Sequence, residues 1–547
     1  MSNKQKKQPA AVRARNERAI PSAPAISPHA QAILCYALFP ACLLTTIVFL
    51  CVCPIEEYDL WFHFAFARQF VEHGEFLGRD IFSFTSFGRE WISTGWLSSV
   101  ILYWLFEKIG HGSNLAGLTL FVFIQVLVSA FAIYSVALRR KVESAMTLLL
   151  MVCLLTACLR FNPRPDLCSQ IMVVVVLLLL VTSEDVTPRG MRRPSSRSTT
   201  PNAAGDRRLW LLPFLMALWA NLHAGFMAGA VLIAIYGLHR FMNWRRFGLK
   251  SDLMATIPCA VSMVAWLANP YGYRMLTLPS KISAVPGIRE MLFEWMPLYS
   301  PNGNNLPWFI YAGLALLITL CCAALLTRRT KLPWWHVAAA VFCLAIAWQA
   351  RRQLGITAWA LPIFILPHLE GAEYRLRKHG YLAPALAITG CAALCCMQYG
   401  GNLNSSPGWP TVKFLPGTYP EGAKNFLLRH PPPSNIFNSY HYGGFLMYHL
   451  GPQTKVFIDG RIDTYDPKVW LDDRAIERGS LSIDEACDRY GLKTFVLDRR
   501  EGYDPGRLAQ RLAARPDIAT VFKDDTSAVF VRKTPETAEY ISKTAEP

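Results

Sequence analysis

The stretch that decides the fold is Glu57-Tyr58-Asp59-Leu60-Trp61-Phe62-His63, which directly follows an apolar run over residues 31–53. That run is long enough to cross a bilayer, because a membrane-spanning helix needs about 20 mostly apolar residues. A carboxylate and an imidazole therefore stand where the chain leaves a membrane. Ionisable groups in this position cost solvation energy, which makes them a functional-site hypothesis by default. The arrangement predicts an enzyme that works at a membrane surface.

Similar apolar runs recur along the rest of the chain. It has 547 residues, 52% of them hydrophobic, so it is too long for one compact domain and too apolar for an ordinary soluble one. Repeated runs of about 15–25 apolar residues predict a polytopic α-helical membrane protein. We place eleven spans at residues 31–53, 115–138, 143–159, 168–182, 209–221, 225–238, 251–268, 307–326, 333–349, 354–368 and 381–398.

The basic residues set the predicted orientation. The net charge of +17 comes from the basic tail at residues 1–30 and from loops between spans. Because cytoplasmic loops carry an excess of Lys and Arg, the tail is predicted to be disordered, uncleaved and cytoplasmic. The later basic loops also fall inside only if residues 96–109 lie at the outer surface or re-enter it without crossing. The partner that this charge pattern indicates is a lipid bilayer, and no nucleic-acid motif is present.

Residues 399–547 differ in kind from the transmembrane domain at 31–398. They have ordinary charge density and no run long enough to span. Short strand and helix signals alternate there, which predicts a small α/β domain on the same side as the first outer loop at 54–95. The expected strands cover 435–440, 455–459 and 493–498, the expected helices 482–490 and 505–514, and a hairpin turns at Asp524-Asp525.

Three residues of the first outer loop are candidates for catalysis. Asp59 could act as a general base, and it could also cap a helix running to about His73 and ending at Gly74; the two roles are compatible. His63 lies among phenylalanines, so a hydrogen-bonded interfacial histidine is as good an interpretation as a base or ligand. Asp80 either turns the chain before an aromatic run or joins the site.

The predicted outer face also collects polar residues suited to binding an anion. Guanidinium groups are planar forks that match phosphate oxygens, and two adjacent arginines on the outer side run against the positive-inside bias. The predicted binding residues are Arg160, Arg164, Asp166, Asn221, His223, Arg274, Glu294, Arg351 and Arg352.

Structural roles compete with binding at several of these positions. Arg164 and Asp166 could form an ion pair within the rigid turn Asn162-Pro163-Arg164-Pro165-Asp166. Asn221 and His223 could simply terminate a helix, and Arg274 could extend to lipid headgroups.

The metal requirement is left open by the sequence. A divalent metal could be bound through Asp59, His63, Asp80 or Glu294, but no spacing dictates one. In Val456-Phe457-Ile458-Asp459-Gly460-Arg461-Ile462-Asp463, a strand leads into an acidic turn that either satisfies itself or binds an acceptor. Nucleotide-binding, zinc-protease and serine-hydrolase signatures are missing.

The chain resembles the GT-C superfamily of integral-membrane glycosyltransferases, in particular a bacterial group with a protein-mannosyltransferase-like layout. The resemblance covers nearly the whole chain and rests on an acidic residue soon after the first span and a long first outer loop. Unlike the metal-dependent branch, the loop has no adjacent acidic pair other than Glu56-Glu57, followed by Asp59. The family-like stretches are Gly78-Arg79-Asp80-Ile81-Phe82-Ser83, Trp219-Ala220-Asn221-Leu222-His223, Asn269-Pro270-Tyr271-Gly272 and Phe457-Ile458-Asp459-Gly460-Arg461.

This resemblance implies a multi-pass enzyme of the bacterial inner membrane, with its carboxyl-terminal domain in the periplasm. The donor would be a polyprenyl-phosphate-linked sugar, and the acceptor a lipid, glycan or protein. Asp59 would be the catalytic base, and outer-face arginines would hold the carrier phosphate. A transporter or flippase of lipid-linked saccharides, or an envelope-assembly scaffold acting through its outer domain, are the alternatives.

Overall fold

The protein is a multi-pass helical membrane protein with a small sheet at its carboxyl end. The computed structural model describes residues 27–112, 115–184, 207–288, 292–300, 306–328, 331–405, 412–500 and 507–544, with the backbone alone for 397–405. Most of the predicted basic tail and of the basic loop at 187–208 lies outside the described residues. The helices of the membrane part and its outer loops are Pro28–Cys51, Leu60–His73, Trp96–Trp104, Ala116–Arg140, Glu143–Ala157, Pro165–Thr182, Leu212–Leu222, Phe226–Phe247, Lys250–Ala265, Leu278–Ser283, Trp308–Leu326, Trp334–Gln349, Leu354–Ile365, Glu370–Lys378 and Leu382–Ser405.

Each of the eleven predicted spans coincides with one of these helices. Within the part of the chain that the structure describes, six helices are long and apolar enough to cross a membrane, and one further pair, bent by 81°, would make a seventh. The other spans are shorter helices such as Trp334–Gln349. The multi-pass helical fold is therefore confirmed, whereas the count of eleven crossings stays a prediction.

Two helices form the centre of the membrane part. Every residue of Leu354–Ile365 is buried, and the neighbouring Pro165–Thr182 buries most of its length. A helix that is apolar on all sides is expected in such an interior position. The two approach closely at Gly355, where an added Cβ would lie 2.7 Å from Cδ of Gln170. This close packing fixes the amino-terminal end of Pro165–Thr182, which carries part of the site described below.

Two helices, one in the first outer loop and one directly after it, precede the second span. Leu60–His73 ends at Gly74, whose left-handed backbone (φ 71°) suits a residue without a side chain. Trp96–Trp104 continues as a short π-helical segment, Leu105–Ile109. Neither of these helices is among the membrane-spanning helices found in the described part of the chain.

The carboxyl-terminal sheet has four strands in the order β1-β2-β4-β3. β1 (Ile436–Asn438) runs parallel to β2 (Thr494–Asp498), and β4 (Ser527–Arg532) lies antiparallel to both β2 and β3 (Ile518–Lys523). The hairpin predicted around Asp524-Asp525 is confirmed. The helices of this part are Glu421–Arg429, Gly443–Leu450, Pro467–Arg478, Ile483–Tyr490, Leu508–Ala513 and Ala538–Thr544.

One predicted strand, at residues 455–459, is wrong. Val456 forms only isolated bridges, one to Ser83 of the first outer loop and one to Ile436. The segment instead joins two parts of the molecule, because the Val456 N–H donates to the Phe82 carbonyl oxygen at 3.0 Å. The alternating apolar residues of this segment are therefore buried without forming a continuous series of β-sheet hydrogen bonds.

The sheet region packs directly on the first outer loop. Residues from Ile55 to Leu118 and from Tyr419 to Val531 share one hydrophobic core. Backbone hydrogen bonds reinforce it: the N–H of Ile55 donates to the Lys413 carbonyl and the N–H of Leu415 to the Ile55 carbonyl, both at 3.0 Å. This docking brings the carboxyl-terminal part over the residues that follow the first span.

Candidate active site

Asp59 stands at the start of the Leu60–His73 helix, but its side chain makes no capping hydrogen bond. Its carboxylate instead accepts a hydrogen bond from the guanidinium of Arg164. The Asp59 side chain keeps 26% of its exposure because it faces a cavity of about 800 Å³. The predicted role of Asp59 as a helix cap is therefore wrong. Its carboxylate is partly accessible from the cavity, as a general base requires, and that role stays a prediction.

Arg164 is the centre of the ionic contacts. Besides Asp59, its guanidinium contacts Glu294 (Nη1 to Oε2, 2.9 Å) and Glu57 (Nε to Oε2, 3.4 Å). The two flanking prolines hold its backbone: Arg164 is extended (φ −123°, ψ 155°), as a residue before proline prefers, and Pro165 begins the next helix. The rigid turn thus fixes the direction from which the guanidinium reaches Asp59.

Two further arginines meet at Glu294. Arg160 contacts Glu294 Oε2 (3.2 Å) and Asp166 Oδ2 (2.5 Å). Arg352 lies 3.9 Å from Glu294 Oε1 and stacks over the Trp295 ring at 4.5 Å. The predicted pair between Arg164 and Asp166 is therefore replaced by Arg160–Asp166. We call these residues the charged cluster: Glu57, Asp59, Arg160, Arg164, Asp166, Glu294 and Arg352.

The charged cluster holds four carboxyl groups against three guanidinium groups. If all ionised it would carry one surplus negative charge in a poorly solvated place, which favours protonation of one carboxyl group. Burial raises the pKa of Glu57, and that of Asp59, despite the opposing charge of Arg164. The pKa of Glu294 is lowered, because the attraction of three guanidinium groups outweighs its burial. Glu57, the most enclosed of the three, is the carboxyl group that we expect to hold the proton.

Two neutral histidines line the same cavity. Burial lowers the pKa of His63 and of His223 to about 3, and neighbouring arginines add to the effect. His223 Nδ1 accepts from the Gly225 N–H at 3.0 Å, so its proton resides on Nε2. Ser169, which receives the Trp219 indole N–H at 2.8 Å, also lies 2.8 Å from Nδ1. His63 Nδ1 lies 2.8 Å from Ser99 Oγ.

The opposite side of the cavity comes from the carboxyl-terminal part. Gly460 is in close contact with Asp59: an added Cβ would lie 2.3 Å from Asp59 Oδ1 and 3.0 Å from Cε1 of Phe62. His441 also lines the cavity, and its Nε2 pairs with Asp498 at 2.7 Å. The sequence did not predict these contributions, although Gly460 lies within the family-like stretch Phe457-Ile458-Asp459-Gly460-Arg461.

Arg461 forms a buried ion-pair system next to Gly460. Its guanidinium donates to both Asp459 oxygens, at 2.8 and 2.6 Å, and to Asp80 Oδ1 at 2.8 Å. Asp80 also accepts from the Phe82 N–H at 3.0 Å. Asp80 therefore does not line the cavity but fixes Arg461, which does. Within the acidic turn, Asp459 and Arg461 pair with each other, whereas Asp463 lines the cavity, so binding of an acceptor by this turn stays a prediction.

The structure brings most of the predicted site residues together. Asn221 and Arg274 lie outside the cavity lining: Asn221 accepts from the Trp96 indole at 2.8 Å, and Arg274, 59% exposed, pairs with Glu90. Arg351 lines the cavity but donates to the Pro297 carbonyl at 3.0 Å, apart from the charged cluster. The predicted residues that line the cavity are Asp59, His63, Arg160, Arg164, Asp166, His223, Glu294, Arg351 and Arg352.

A metal site was left open by the sequence. Among the residues that the structure describes, no group of three or more His, Cys, Asp or Glu side chains could hold a metal ion. The carboxylates of the charged cluster face guanidinium groups instead. The metal requirement stays open.

Comparisons with known proteins give one kind of match. No family model and no curated protein matches the chain. Among solved structures, ArnT from Cupriavidus metallidurans in the apo state matches with a TM-score of 0.54 and 13% identity, covering 95% of this chain and 99% of that one. The same protein bound to undecaprenyl phosphate matches with a TM-score of 0.50 and 11% identity, covering 93% and 99%. At these identities the likeness shows the fold alone: the predicted multi-pass helical fold with a small carboxyl-terminal domain is confirmed as ArnT-like, and membership of the wider superfamily stays an expectation from the sequence.

Proposed function

We propose that this protein is a membrane glycosyltransferase that moves a sugar from a polyprenyl-phosphate-linked donor to an extracytoplasmic lipid, glycan or protein. The observation that carries the proposal is that Asp59, a partly accessible carboxylate, faces a large cavity beside a cluster of guanidinium groups. The solved relative with undecaprenyl phosphate bound supports a polyprenyl carrier as the lipid partner.

The cavity suits both ends of such a donor. Arg160, Arg164 and Arg352 present planar forks to a phosphate. Apolar residues of the same cavity lining, including Leu278 and Ile282, provide a wall for an isoprenoid chain. Arg351, a further arginine of the lining, stacks on Phe293 and helps to hold the residues around Glu294 in place.

The reaction would be a single displacement. The acceptor hydroxyl oxygen bonds to the anomeric carbon while the bond from that carbon to the phosphate oxygen breaks and its electron pair stays on the phosphate. The hydroxyl proton goes to Asp59, and the configuration at the anomeric carbon inverts because attack comes from the face opposite the leaving group. A phosphate leaves as an anion, so a base and phosphate-binding cations suffice.

The other predicted catalytic residues receive supporting roles. His63 is neutral at physiological pH, so it can contribute hydrogen bonding in the cavity without adding charge to the cluster. Asp80 acts through Arg461, which adjoins Gly460 and thereby Asp59. The proposal includes an inner-membrane location with a cytoplasmic amino terminus, since that orientation sends the site to the periplasmic side.

The test is transfer from radiolabelled polyprenyl-phosphate sugars in membranes, comparing wild type with Asp59→Asn at matched expression. A general base contributes about 10²–10⁴-fold, and we expect a loss of that size. Asp488→Asn, a matched change at an aspartate that is 79% exposed, should leave transfer unchanged. Robust transfer by Asp59→Asn would overturn the role of Asp59. If a broad donor panel gave no transfer by the wild type either, a flippase would become the better explanation.

A further inference from the structure

A second cavity lies at the other end of the helices that form the site. The Pro165–Thr182 helix contributes Pro165, Asp166 and Ser169 to the first cavity and residues from Val175 to Thr182 to the second. An 18-residue helix is about 27 Å long, close to the thickness of a bilayer core. The second cavity, a groove of about 540 Å³, therefore opens near the opposite membrane face.

The walls of this groove are apolar and face outward from the bundle. Two neighbouring residues of the Leu212–Leu222 region are strongly exposed, Phe214 by 74% and Leu211 by 54%. In a membrane protein such surfaces contact lipid chains. The apolar lining consists of Val136, Val175, Leu178, Leu179, Leu211, Phe214, Leu215 and Leu218.

One end of the groove is basic. Arg139, Arg140 and Arg208 line it, and Arg208 is placed there by donating to the Thr182 carbonyl oxygen at 3.3 Å. No carboxylate is among its lining residues in the described chain, although Glu370, outside the lining, acts electrostatically on Arg140.

We propose that the groove binds an anionic glycerophospholipid of the leaflet at that end, with its phosphate on the three arginines and an acyl chain along the apolar wall. Guanidinium forks match phosphate oxygens, and basic pockets between transmembrane helices at the cytoplasmic side bind anionic headgroups. The combination of a cationic end and an apolar wall fits an amphiphile better than a free anion. This site is separate from the sugar-transfer cavity.

The test measures lipid retention by the purified full-length protein in native mass spectrometry. The protein is titrated with phosphatidylglycerol or phosphatidylcholine, in wild type and in the triple variant Arg139→Gln, Arg140→Gln and Arg208→Gln. We expect at least 10-fold weaker phosphatidylglycerol binding in the triple variant. The matched control removes three exposed basic residues of the same end that do not line the groove, by Arg245→Gln, Arg246→Gln and Lys250→Gln, and should change binding less than twofold.

A second variant keeps the charges and fills the groove. Val175 is only partly buried on the groove wall, so Val175→Trp should fold and still reduce phosphatidylglycerol binding. Equal loss in the control triple variant would overturn the site in favour of general surface charge. Equal binding of phosphatidylcholine, displacement by inorganic phosphate, or preference for a polyprenyl phosphate would each overturn the assignment to an anionic glycerophospholipid.

Discussion

Replacing Gly460 with alanine should displace the carboxylate of Asp59. The new Cβ would lie 2.3 Å from Asp59 Oδ1, whereas ordinary contact begins at about 3.4 Å. The oxygen must therefore move by about 1.1 Å (3.4 minus 2.3). The Cε1 atom of Phe62, at 3.0 Å, blocks part of the remaining space. Since Arg164 holds the other carboxylate oxygen, this movement also disturbs their ion pair.

The magnitude follows from how strongly transfer depends on alignment. A displacement of about 1 Å at a reacting group can cost about 10²-fold in rate. We expect kcat for sugar transfer to fall by about that factor in Gly460→Ala. The change in KM should be smaller, because Glu294 still holds Arg164 and Arg160, the proposed ligands of the donor phosphate. Thermal unfolding should shift only modestly, since Asp59 is partly exposed and can turn into the cavity.

The matched control is Gly78→Ala in the first outer loop. An added Cβ at Gly78 meets no atom within 4 Å, so transfer should stay at the wild-type level. If Gly460→Ala transfers sugar at more than half the wild-type rate while the control behaves normally, the placement of Asp59 by Gly460 does not govern the reaction. A large fall in the unfolding temperature together with lost activity would instead mean that the glycine is needed for folding.

Three further predictions concern charges around the cavity. Burial raises the pKa of Asp59 to about 6, and a base must be ionised, so kcat/KM should decline tenfold per pH unit below about 6; a flat profile between pH 5 and 8 would contradict this. Arg164→Lys keeps the positive charge but loses the planar guanidinium group, so transfer should fall by about 10-fold or more. Its unfolding temperature should drop less than that of Arg164→Gln, because Arg164→Gln leaves buried carboxylates without their partner, which costs about 3–5 kcal/mol of stability. Asp80→Asn removes the buried carboxylate facing Arg461 and should lower the free energy of unfolding by several kcal/mol, of the order expected for a broken buried pair, about 3–5 kcal/mol. Asp459 still holds Arg461 through two hydrogen bonds, so activity per folded molecule should be largely retained. Unchanged stability with lost transfer would return Asp80 to the catalytic site.

The helical fold could be predicted because the hydropathy of the sequence is sufficient to locate its membrane helices. Runs such as residues 116–138 have no other stable state in a membrane, since only a helix satisfies the backbone hydrogen bonds within one segment. The strand expected at 455–459 failed for the converse reason. Its alternating apolar residues indicate burial, but burial between Phe82 and Ile436 does not need a ladder, and sequence periodicity cannot tell the two apart.

The candidate site could be predicted only in part. The predicted order of membrane spans assigns each loop to one face of the membrane, and this assignment groups the polar residues of the outer loops. Asp59, Arg164 and Glu294 were found because unusual polar residues collect on one side. The partners were not found, because Arg160 could equally have paired with several carboxylates and only tertiary packing chose Asp166 and Glu294. Gly460 carries no chemical group, so its contact with Asp59 left no signal that composition or charge could reveal.

The position of Arg164 between two carboxylates has a consequence for the proposed reaction. In the structure its guanidinium binds both Asp59 and Glu294. When Asp59 takes the acceptor's proton, it loses its negative charge, and the departing phosphate gains one as its bond to the sugar breaks. The total charge is unchanged, but the attraction that held Arg164 to Asp59 is transferred to the phosphate. The interaction thus strengthens as the reaction proceeds, which is the condition under which a binding group accelerates chemistry rather than merely holding substrate.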